Sequence, residues 1–107
     1  MESAVIPLVA EHRIEIESLC RRFGVARLEL FGSAADGSFD PARSDIDFLV
    51  EFQPGRDLGP WLAEYFDFKE SLEVLLGRPV DLVMATALKN PWFINEVNRT
   101  RTLVHAA

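Results

Sequence analysis

The sequence carries a single cysteine, Cys20, so no disulfide can close within it. In its apolar helical setting that thiol reads as core filling, with a catalytic thiol the rarer alternative. Neither a signal peptide nor an apolar run long enough to span a membrane is visible, so the expected setting is cytoplasmic, without membrane attachment. Basic residues are outnumbered: 11 Lys and Arg face 17 Asp and Glu, a net charge of -6. That balance opposes strong direct binding to a nucleic-acid backbone. It leaves room for a nucleotide held through divalent cations, which reverse the local sign. There is no internal repeat, and 49% hydrophobic with 26% charged residues is an ordinary globular composition that supports no disordered tail. A length of 107 residues predicts one domain over 1–107. Such a chain has one core and little room for a large substrate-closing lid.

Periodicity orders the chain. From about Leu8 to Arg22, Val9, Ile16, Leu19, Cys20 and Phe23 share a helical face that Gly24 ends. Ile14 lies off that stripe, by casual exposure or as part of a binding face. Arg27–Phe31 alternates as a strand, with Leu28 and Leu30 on the covered face and Glu29 on the more open one. Asp45–Phe52 is a second strand, with Ile46, Phe48, Val50 and Phe52 inward and Asp45, Asp47 and Glu51 outward. A Pro- and Gly-bearing connector leads to a helix over Trp61–Leu76, whose main stripe starts at Trp61. Leu62 and Phe66 widen its apolar arc beyond what one sheet face needs. Val80–Val83 is a third strand with Asp81 outward, and Asn90-Pro91 has the signature of a helix start. Arg99 and Arg101 near the end of that helix face solvent, complement its C-terminus or meet an anionic partner.

The chemistry centres on Asp45-Ile46-Asp47. Two residues apart on a strand, both carboxylates point to one face while Ile46 enters the core. By itself an Asp-x-Asp is more often a solvated acidic stretch. Asp81 changes the balance: on a parallel neighbouring strand it starts near the same end and on the same face. Three carboxylates so gathered repel one another and suit one or two Mg²⁺ ions with oxygen ligands. If the first strand is antiparallel to the second, Gly32-Ser33 falls beside Asp45. In isolation Gly-Ser reads as a plain turn; beside three aspartates, glycine permits close backbone approach, and the Ser33 hydroxyl with nearby N–H groups can bond phosphate oxygens.

The stretches LFGSAADG, SDIDFLVEF and GRPVDLV are similar to the minimal nucleotidyltransferase (MNT) family of the DNA polymerase beta-like superfamily. The resemblance spans nearly the whole chain, from the leading helix through the final one. Gly32 and Ser33 match its Gly-Ser phosphate motif, Asp45 and Asp47 its paired metal ligands, and Asp81 its third carboxylate. It implies an α/β (α+β) domain with a mixed three-strand core sheet, helices on one face and an open catalytic face. ATP is then the expected donor, with two Mg²⁺ ions and Asp81 as base or proton relay. One departure concerns charge: Ala34, Ala35 and Asp36 stand where relatives often carry basic residues. Arg43 is a candidate substitute beside the triphosphate, or a plain surface residue.

Small stand-alone members of this family resemble antitoxins paired with HEPN-domain RNase toxins, which they modify by adding AMP to a tyrosine. A chain too short to surround a small acceptor fits that role, as a hetero-oligomer with the toxin or a homo-oligomer. The alternatives are an antitoxin with a weakened site that acts by binding alone, and an enzyme acting on a small-molecule hydroxyl.

Overall fold

The computed structural model describes residues 7–32 and 45–106. Ser33, Arg43 and the Ala34-Ala35-Asp36 segment lie outside them. The leading helix forms as two pieces, α1 (Pro7–Glu11) and α2 (Arg13–Phe23). His12 separates them with a non-helical backbone (φ -106°, ψ 18°), and its ring Nδ1 bonds the Leu8 carbonyl oxygen at 2.9 Å. Gly24 ends α2 in the left-handed region at φ 69°, where a Cβ would also strike the Arg56 side chain at 2.9 Å.

The three predicted strands are present as β1 (Val25–Phe31), β2 (Ile46–Phe52) and β3 (Val80–Met84). A fourth, β4 (Thr102–Ala106), extends the sheet to the order β3-β2-β1-β4. β1 is antiparallel to both β2 and β4, and β2 is parallel to β3, so the sheet is mixed. β4 escapes pattern reading because only Val104 of its five residues is buried.

Helix α3 (Ala63–Leu76) supplies the crossover between the parallel strands. Phe68, Leu72 and Leu76 turn inward as the apolar stripe requires. Trp61 does not belong to that stripe. It sits in a 3-10 turn (Pro60–Leu62) with φ 57°, followed by Leu62 at φ 56°, and is 94% exposed. The left-handed pair redirects the chain just before the helix begins, so helical periodicity does not reach Trp61.

The main core lies between one sheet face and α1, α2 and α3. Leu28, Leu30, Ile46, Phe48 and Leu82 meet Ile16, Phe23, Phe68 and Leu72 there. The opposite face is not bare. Helix α4 (Pro91–Thr100) starts as predicted, with Asn90 Oδ1 accepting from the backbone N–H groups of Trp92 and Phe93. It covers part of that face through a smaller cluster of Phe31, Leu49, Val97 and Phe93. Leu49 and Val83, apolar residues of otherwise outward parity, are thereby accounted for. Among the described residues, the end of the same face that carries the aspartates is left uncovered, with Asp45 and Asp81 exposed. Among the described residues no helix is long and apolar enough to cross a membrane.

Candidate active site

Asp47 is the centre of the open end. In the parallel ladder it pairs in register with Asp81, and in the antiparallel ladder with Phe31. Alternation puts Asp45 on the same face, just ahead of β2, so all three aspartates share one face and one end of the sheet. Asp45 and Asp81 are exposed, while Asp47 is half-buried. Burial, reinforced by the negative charges of Asp81 and then Asp45, pushes the Asp47 carboxyl from an ordinary 3.8 up to about 6.

Gly32 closes the other side. Its φ is 70°, and a Cβ there would stand 2.6 Å from Asp47 Oδ2. A side chain here would force the Asp47 carboxylate to turn away, a steric reason for glycine that adds to its tolerance of the positive φ. Gly32 N–H donates to Thr100 Oγ1 at 2.8 Å, and the Thr100 hydroxyl donates to the Glu96 carbonyl oxygen at 3.3 Å. The end of α4 therefore clamps the backbone at Gly32, just past β1. Thr100→Val, which keeps shape but leaves that part-buried N–H unpaired, should lower stability by about 1–2 kcal/mol in urea unfolding. Thr100→Ser should recover most of the loss; equal stability of all three would remove the clamp from the account.

The Asp81 side is fixed with similar means. Glu73 Oε2 accepts the Val80 backbone N–H at 3.0 Å, setting where β3 begins. Tyr65 donates its hydroxyl to the Leu82 carbonyl oxygen, tying α3 to the strand one residue beyond Asp81. Burial and the nearby Asp81 charge hold the Tyr65 phenol above its ordinary range. Neither Thr100 nor Tyr65 announces such a role in sequence, because their partners lie 68 and 17 residues away.

Among the described residues no three His, Cys, Asp or Glu side chains already form a metal-holding group. What the aspartates share is a face and an end; burial raises the Asp47 carboxyl, and the charges of Asp81 and Asp45 add to that. That donor set fits a hard dication such as Mg²⁺: it is all oxygen and it gathers negative charge at one end of one face. The structure thus brings together Gly32, Asp45, Asp47 and Asp81 of the predicted site. Ser33 and Arg43 fall outside the described residues.

With this geometry in view, comparison with known proteins is informative. A family profile described as a nucleotidyltransferase domain matches residues 13–105. Protein adenylyltransferase MntA of Thermococcus cleftensis is 37% identical over 83 residues, spanning 78% of this chain and 76% of the relative. A solved structure with the provisional description of a minimal nucleotidyltransferase superposes at a TM-score of 0.72 and 35% identity, covering 91% of this chain and 95% of that one. A chain in the complex of tri-AMPylated Shewanella oneidensis HEPN toxin with MNT antitoxin shares the fold at a TM-score of 0.62 and 20% identity. That match covers 92% of this chain and 72% of the other.

Proposed function

This chain belongs to the nucleotidyltransferase domain family, as a minimal nucleotidyltransferase, and on that premise we propose that it is an antitoxin enzyme. It transfers AMP from ATP to a hydroxyl, a tyrosine by preference, on a HEPN-domain RNase toxin. The observation that carries this reading is the placement of Asp45, Asp47 and Asp81 on one face, with Asp47 pressed against Gly32. The name of the Thermococcus relative and the AMP-bearing toxin in the Shewanella complex supply the reaction and acceptor classes.

Asp45 and Asp47 would hold the Mg²⁺ that accompanies the triphosphate, and all three aspartates a second ion. Bound there, Mg²⁺ supplies charge neutralisation and polarisation at the entering and leaving oxygens. The bare Gly32 backbone admits the phosphates close to Asp47, with Ser33, next in sequence, as a further phosphate donor and Arg43 as a source of positive charge. Asp81 takes the proton from the acceptor hydroxyl. The acceptor oxygen then bonds to the α-phosphorus as the bond to the bridging oxygen breaks, and pyrophosphate leaves. Asp81 stands on β3, an edge of the sheet, and is exposed. Among the described residues nothing covers that side, which suits an acceptor as large as a folded protein. The exposed apolar residues Trp61, Leu62 and Phe66 offer contact area for such a partner.

The test is to incubate chain and cognate toxin with Mg²⁺-ATP, weigh the intact toxin, separate the two and assay its RNase activity. The expected result is a toxin heavier by whole AMP units whose inhibition persists after separation. A toxin of unchanged mass that regains full activity on separation would replace transfer with neutralisation by binding alone.

A further inference from the structure

One side of the open end leads into a cleft that the proposed chemistry leaves unused. It lies between α4 and the junction of β1 with β2, holds about 290 Å³, and reaches from Gly32 and Asp47 to Trp92. Phe31, Trp92 and Phe93 give it an aromatic wall, and Glu96, Arg99 and Thr100 a polar one. Phe31 and Phe93 meet edge to face, with ring centroids 6.0 Å apart, and Trp92 is 70% exposed. Trp92, Glu96 and Thr100 are spaced four apart, so they form one stripe of α4 along the cleft. Asn90 fixes the first turn of that helix through its bonds to the Trp92 and Phe93 N–H groups. The large exposed ring is therefore presented from a capped helix.

We propose that this cleft is the nucleobase subsite of the donor nucleotide, with Trp92 as the stacking platform. The inference rests on the nucleotidyl-transfer reading and adds where the nucleoside goes. A phosphate seated at Gly32 and Asp47 must send its nucleoside away from the packed core beneath the sheet. The cleft starts at those two residues, and its volume is near the lower end for small-ligand sites, about 300–1,000 Å³. An exposed indole gives a π-face to any base, and such stacking tolerates base identity. The acceptor has the opposite approach: Asp81 lies across Asp47 from Gly32, because β2 separates β3 from β1. Donor and acceptor thus enter from opposite sides of Asp47 without competing for one space.

The chain holds two tryptophans, so Trp61→Phe leaves Trp92 as the sole indole reporter. In that protein Mg²⁺-ATP should change the Trp92 emission, while Mg²⁺-tripolyphosphate, which lacks a base, should bind without doing so. By calorimetry, Trp92→Ala should weaken Mg²⁺-ATP binding roughly five- to hundredfold and leave tripolyphosphate affinity unchanged. Trp92→Phe should recover much of the ATP affinity. Unchanged ATP affinity in Trp92→Ala, with transfer intact, would overturn the subsite alone. So would unchanged ATP affinity with a raised KM for the toxin, which would give the cleft to the acceptor. Failure of the parent chain to bind Mg²⁺-ATP at all would overturn the transfer reading and this inference with it.

Discussion

Asp47→Asn should lower AMP transfer by at least a hundred- to thousandfold, since on the proposed mechanism it removes a metal-holding charge at the reacting phosphate. The same substitution should raise the melting temperature of the metal-free chain at pH 8. The sign follows from the carboxyl's displacement to about 6. A group raised in the folded state contributes its stability below the unfolded value of 3.8, and that contribution disappears as pH climbs through 6. At pH 8 the ionised Asp47 therefore opposes folding, whereas asparagine stays neutral. Allowing for the screening that a half-buried carboxylate retains, the gain should be about 1–2 kcal/mol, or several degrees of melting temperature. The parent's stability should fall between about pH 4 and 6 relative to the variant's, a difference visible in paired melts across pH. A variant that melts below the parent at pH 8 would show that the three carboxylates do not burden the fold. Asp45→Asn combined with Asp47→Asn should abolish transfer while preserving toxin contact.

Arg101→Ala should produce the second large effect, this time on stability. Glu29 is only 4% exposed on the face shared with the aspartates. Arg101 grips it with two hydrogen bonds, Nε to Oε2 at 3.1 Å and Nη2 to Oε1 at 2.5 Å, and Arg27 Nε lies 3.2 Å from Oε1. Burial alone would raise the Glu29 carboxyl, but the bonds from Arg101 and then Arg27 outweigh it and hold the group below its ordinary range. Removing Arg101 leaves a buried carboxylate with Arg27 as its remaining guanidinium partner, a loss of about 2–3 kcal/mol in urea unfolding. Glu29→Gln should cost less, because the Arg101 side chain is 37% exposed and finds water when its partner is neutral. The depressed carboxyl also sets the acid limb. Its contribution is present above the unfolded value near 4.5 and is lost as pH falls through the lower folded one. Equal losses from the two substitutions would contradict this asymmetry.

The pair also marks where sequence reading stops. Glu29 alternates with Leu28 and Leu30 and so looks like the polar side of a half-covered strand. Nothing local reveals that an arginine 72 residues later returns to bury it. The aspartates were legible for the opposite reason: period-two alternation fixes their face, and short-range apolar neighbours reveal it. Strand parity therefore yielded Asp45, Asp47 and Asp81, and the Asn90 cap followed from its own side chain. The helical stripe failed at Trp61 because left-handed backbone intervened, and at His12, where the backbone leaves helical angles and the ring bonds the Leu8 carbonyl oxygen. β4 had too few buried residues to register, and α4's place on the aspartate face depends on long-range packing that no window of sequence contains.

The Thr100 clamp and the Glu29–Arg101 pair join β1 to chain that lies 68 and 72 residues downstream. During synthesis, β1 and α2 can meet early, and β2 can pair with β1 soon after. The Gly32 N–H keeps its place only once residue 100 has left the ribosome, and β1 keeps an unpaired edge until residues 102–106 arrive. Contacts this distant in sequence form late and slowly. The Gly32 end of β1 is thus the last part of the sheet to set, and a nascent chain carries all three aspartates before the backbone beside Asp47 is fixed.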